Sequence, residues 1–178
     1  MVVALTWDLL IIVFFALVVA YSLIIGRHEA VKVLVASHIA AFAAQGIGMG
    51  IMEGNAAATP VLHTLGLTIG PTTIVTVKLL AFVGLLVAIA IHGGLSSEYE
   101  EASILDTAVA AGLGMATAAF LLLNLLAILG NSSPVLHFAE SPLLAPLFSQ
   151  SVIATQLMAL QALWLMLPAI LLIGTSFL

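Results

Sequence analysis

No cysteine occurs in the 178-residue chain, and only 6% of its residues are charged. The first absence removes disulfides and thiolate metal sites. The second removes a water-facing surface, since a soluble domain is typically about 25% charged. Basic residues are scarcer still. Arg27, Lys32 and Lys78 stand against eight carboxylates, for a formal net charge of −5. That balance gives no basic patch for nucleic acid.

What is present is hydrocarbon. Hydrophobic residues make up 63% of the chain, and its mean hydropathy is +1.33. Five apolar stretches, 7–26, 31–52, 71–92, 106–129 and 151–175, reach or approach the length of about 20 residues that crosses a bilayer. Together they leave no room for a separate soluble domain. Residues 1–178 therefore read as one all-α membrane domain, a polytopic bundle of five transmembrane helices. A transmembrane barrel would need segments that alternate apolar and polar. The stretch "LLIIVFFALVVA" is apolar all round instead. No basic residue precedes the first apolar run, and Arg27 and Lys32 follow it, so it is expected to stay as a first helix rather than leave as a signal peptide.

Arg27 and Lys32 flank the first turn, which the positive-inside rule places in the cytoplasm. The N-terminus and the 53–70 and 130–150 loops are then expected outside, and the 93–105 loop and the C-terminus inside. Both outer loops open on Gly-Asn and continue to Pro-Val-Leu-His: "GNAAATPVLH" from Gly54 and "GNSSPVLH" from Gly130. Gly and Asn suit a helix C-cap, and Pro60 and Pro134 suit the first turn of a short helix on the outer membrane surface. "KLLAFVGLL" from Lys78 also aligns with "QLMALQALW" from Gln156. Helices 2–3 thus read as a parallel repeat of helices 4–5. The alternative is chance likeness in a chain rich in Val and Leu.

Polar residues inside apolar helices are the candidates for function. His38, Gln45, Met49 and Met52 share one stripe of the second helix at 100° per residue. Ser37, Ala41, Ala44 and Gly48 form a small-residue face beside it, with Gly46 and Gly50 in GxxxG spacing, which predicts a central, closely packed helix. Lys78 sits about 10 Å into the third helix, where an ammonium must pair or snorkel. Glu53 is the expected partner, with snorkelling as the alternative. Asn124, Gln156 and Gln161 are expected to hydrogen-bond between helices. His38, Gln45, Lys78, Asn124 and Glu53 are then either a polar path or a structural polar core.

His63 and His137, in the two PVLH stretches, form a candidate outer-face pair. Two ligands without a third do not make a metal site, and no metal is assigned. Of the five histidines only His38 is well inside a helix, while His28 and His92 lie at helix ends, which argues against haem. No cofactor is expected. Nucleophile-elbow, HExxH, Walker and dinucleotide motifs are all missing, so the chain is not expected to be an enzyme.

The first half carries a resemblance. "TWDLLIIVFFALVVAYSLIIGRHEAVKVL" has a Trp-Asp entry, an aliphatic helix, Gly26-Arg27 and then Glu29-Ala30. "LDTAVAAGLGMATAAFLLL" adds an Asp-led, glycine-spaced helix. These stretches resemble the colicin V production protein (CvpA) family. The resemblance implies a bacterial inner-membrane accessory or scaffold protein linked to secretion or envelope homeostasis. Its partners would be the lipid bilayer, other membrane proteins or further copies of itself. The competing reading is a small transporter or channel with a polar path through helices 2–4.

Overall fold

The computed structural model describes residues 6–64, 70–92, 104–130 and 144–175, apart from the side chains of 55–64, 90, 172 and 175. Every regular element among them is a helix: α1 (Trp7–Thr64), α2 (Pro71–His92), α3 (Ile104–Leu129), α4 (Ala145–Gln150), α5 (Val152–Ala159) and α6 (Gln161–Thr175). Three helical stretches are long and apolar enough to cross a membrane, namely Trp7–Gly54, Pro71–Ile89 and Ile104–Leu129. Val152–Ala159 and Gln161–Leu171, bent by 66° at their junction, make a fourth if taken together. The protein is all-α, with the make-up of a multi-pass membrane protein in contact with lipid.

The stretch Trp7–Gly54 has 48 residues. Straight, it would extend about 72 Å, more than twice the hydrocarbon thickness of about 30 Å. It is not straight. Gly26 has φ 81 and ψ 174, a non-helical conformation inside α1. This region is essentially open to glycine only. Two arms result, 7–25 and 27–64, and both run back along α3. In the first arm, Ile11 packs with Ala119, Leu122, Leu123, Leu126 and Ala127 near the end of α3. In the second, Ala30 and Leu34 meet Leu113 near its beginning, and Ala40, Ala41 and Ala44 meet Phe120 and Ile128 further on. Arg27 and Asp106 close the corner with an ion pair at 3.1 Å.

The remaining helices follow the same axis. Val75, Leu79 and Phe82 of α2 join the cluster around Ala44 and Phe120. Leu86 and Ile89 lie further back, beside Val31, Val35 and Thr117. In the last segment, Ala154 and Leu157 pack near Ile11, and Leu171 packs beside Ala30 and Leu113. Fourteen residues of α3 are buried, more than in any other described helix. The central helix is therefore α3, rather than the second arm of α1 that the small-residue face suggested. That face (Ser37, Ala41, Ala44, Gly48) is buried as expected, while Gly46 and Gly50 are exposed. Small residues on both sides of a contact let backbones approach. At Gly114 a Cβ would come within 2.9 Å of Val19 Cα and Ser22 Cβ.

Three boundaries differ from the sequence expectation. Helix resumes directly after Gly26, so the first connection is a single residue rather than 27–30. The expected cap at Gly54-Asn55 does not form, and α1 continues through Gly54, Asn55 and Pro60 to Thr64. Gly and Asn permit a left-handed cap but do not impose one, and among the described glycines only Gly26 has positive φ. By contrast α3 does stop at Leu129, where the Gly130 N–H donates to the Leu126 carbonyl at 2.8 Å. Gly54 thus lies inside a helix while Gly130 follows the end of one, and Asn131 is outside the described residues. The repeat loses its main structural support, and the outer helix expected to start at Pro60 is instead the end of α1. Pro134 lies outside the described residues. Finally, the expected helix 151–175 is broken into α5 and α6 at Leu160.

Candidate polar site

The second arm of α1, α3 and α6 form a half-open cavity of about 230 Å³ lined by His38, Ala41, Phe42, Gln45, Phe120, Asn124 and Leu165. Three of the five residues singled out as a polar path or core meet here. His38 and Gln45 arrive because a spacing of seven places them on one helix face. Asn124 arrives from α3, one turn after Phe120.

Each side chain is held differently. The His38 ring stacks on Phe120, with centroids 3.6 Å apart and planes 14° from parallel. Its Nδ1 is 2.8 Å from the Leu34 carbonyl. A carbonyl only accepts, so Nδ1 carries a proton and donates to Leu34 O. Asn124 was expected to bridge helices; its Nδ2 instead donates to Phe120 O in its own helix at 2.9 Å. Thr117 and Ser37 also turn back, donating to Leu113 O and Leu34 O. Gln45 does not. Its Nε2 is buried with no hydrogen-bond partner among the described residues. Met49 and Met52, the rest of the expected stripe, are 60% and 49% exposed and do not line the cavity.

Lys78 and Glu53 do not form the expected ion pair. Only Arg27–Asp106 and Lys32–Glu29 are ion-paired within 4.0 Å among the described residues. Lys78 is buried, and its stem lies across Gly48, where an added Cβ would collide with Cε and meet Cδ and Cγ at 2.8 Å. The bare backbone at Gly48 gives the methylenes an apolar bed, while Glu53 remains exposed. His63 lies in the last turn of α1 with its side chain outside the description, and His137 is outside the described residues.

Two polar ties escaped the sequence reading. Asp8 Oδ1 accepts from Ser151 Oγ at 2.5 Å and from the Ile153 N–H at 3.1 Å, while Ser151 Oγ accepts from the Ala154 N–H. A carboxylate and a serine thus cap α5 together and fasten the start of the chain to its last segment. Ser151 before an apolar run was the available signal, although nothing in the sequence names Asp8 as its partner. The Arg27–Asp106 pair had only opposite charges on one expected side of the membrane to announce it. No family model, curated protein or solved structure matches the chain.

Proposed function

We propose that this chain is a five-crossing scaffold or accessory protein of a bacterial inner membrane, similar in role to the CvpA family and without catalytic activity of its own. The observation that carries the reading is the placement of α3 as a buried strut. Two arms of α1, α2 and the bent α5–α6 pair all pack along it, and large apolar side chains cover the outside. Counted as passes, the arms, α2, α3 and the bent pair make five. The outer faces would then meet lipid, other membrane proteins or further copies of the chain. His38, Asn124, Thr117 and Ser37 spend hydrogen bonds on their own helices, which favours a structural polar core.

A second reading, a small transporter, draws on the same cavity, with Lys78 over Gly48 one turn beyond Gln45. Proteoliposomes separate the two. Under the scaffold reading, vesicles holding the protein leak protons and potassium no faster than empty ones, and His38→Phe and Lys78→Met leave assembly unchanged on native gels. Flux above empty vesicles that His38→Phe abolishes would replace the scaffold with a transporter.

A further inference from the structure

We propose that the groove between the two arms of α1 holds one anionic phospholipid, with acyl chain along the groove and phosphate on Lys32 beside the Gly26 corner. Size comes first. The groove's volume, about 630 Å³, is roughly four times that of a cavity that accommodates benzene. On the first arm Phe14, Leu17, Val18 and Tyr21 line it, spaced as one helix face. Lys32, Val35, Ala36 and Ile39 repeat that spacing on the second arm. The remainder of the lining is apolar except for Thr117, whose hydroxyl is committed to Leu113 O. Leu17, Val35 and Ile39 are also exposed, so the groove opens sideways to lipid.

Polarity then sets the direction. The arms fold back at Gly26, so Tyr21, five residues before it, and Lys32, six after it, stand at matching depth. Phe14 and Ile39 stand about 10 Å deeper, within the roughly 15 Å of hydrocarbon that one leaflet supplies. A groove polar at the corner and hydrocarbon beyond it matches an amphiphile. Charge selects the headgroup. Lys32 Nζ lies 2.6 Å from Glu29 Oε1, one turn nearer the corner, which draws the ammonium to the mouth of the groove. The pair is lopsided, because the lysine side chain is 49% exposed and the glutamate only 8%. The mouth therefore presents cation rather than carboxylate, while Arg27 is turned to Asp106. A phosphodiester brings both the opposite charge and the acceptor oxygens for the ammonium's remaining donors.

The site requires a chain embedded in a bilayer and stands under either the scaffold or the transporter reading. Native mass spectrometry of the full chain in detergent with added lipid tests it. One saturable phosphatidylglycerol per chain is expected. Phosphatidylcholine and diacylglycerol with the same acyl chains should bind about fivefold more weakly, the contribution of one lysine near an anionic surface. Lys32→Met combined with Glu29→Gln removes the pair without stranding the buried carboxylate, and should bring phosphatidylglycerol down to the level of diacylglycerol. Val35→Trp fills the groove from a 40% exposed position and should weaken all three lipids. Lack of a saturable adduct, phosphatidylcholine or diacylglycerol binding as tightly as phosphatidylglycerol, or affinity unchanged in both variants would each overturn the site. Lipid-free dimers would overturn it too, by placing a second copy in the groove.

Discussion

Gly112 and Gly114 lie two residues apart on α3 and meet opposite surroundings. A Cβ at 114 would approach Val19 Cα and the Ser22 side chain to 2.9 Å, and Val19 contributes backbone that cannot rotate away. A Cβ at 112 would meet only Leu171 at 3.9 Å, an ordinary contact. Gly114→Ala is therefore expected to push the first arm off α3 at a cost of about 1–3 kcal/mol, as overpacking does. Gly112→Ala should be neutral or stabilise by up to about 1 kcal/mol, since alanine is the better helix former. Reversible unfolding in detergent measures both. Equal effects would mean that α3 and the first arm are not in close contact. Either glycine alone reads as a small residue in a helix, and only the packing of a partner 92 residues earlier in the chain distinguishes them.

At the scale of the elements, the corner of α1 depends on a conformation rather than on space. No atom lies within 4 Å of a Cβ at Gly26, yet its φ of 81 with ψ 174 is denied to other residues. Gly26→Ala should thus cost about 1–3 kcal/mol despite open surroundings. Gly26→Asn should not recover it, because asparagine is tolerated in the left-handed helical region rather than here. A Gly26→Asn protein as stable as wild type would show that the corner is made some other way.

Such local requirements explain what could be read from the sequence. Gly26-Arg27 marked the first turn and Gly130 the end of α3, each through a residue whose backbone chemistry favours a boundary. The break at Leu160 carries no glycine or proline. It arises where α5 packs against Ile11 and α6 against α3, and long-range contacts leave no local mark. Gly54-Asn55 shows the converse, a boundary signal that the continuing helix overrides. His38 and Gln45 were legible as one face because periodicity is local. That Asn124 joins them, and that Lys78 lies on Gly48 instead of beside Glu53, depends on how α2 and α3 dock.

For the molecule as a whole, the number of crossings depends on whether the Gly26 corner emerges from the membrane. The chain has no native cysteine, so single cysteines report position without a cysteine-free background. His28 is exposed just after the corner, and Thr72 is exposed at the opposite end of the second arm, at the start of α2. If the arms are separate crossings with Arg27 and Lys32 in the cytoplasm, a membrane-impermeant maleimide should label Thr72→Cys in intact cells. His28→Cys should react only after permeabilisation. The reverse pattern would keep five crossings and invert the protein. A His28→Cys that stays unlabelled from both sides would place the corner within the bilayer. That outcome would make α1 a re-entrant hairpin with both ends on one side, since both arms run back along α3, and the turn would have to be buried in protein at that depth. The ion pair between Arg27 and Asp106 argues against it: their side chains are 19% and 37% exposed, and a charge pair open to its surroundings is costly in hydrocarbon and far less so at the membrane surface, where water could share its solvation.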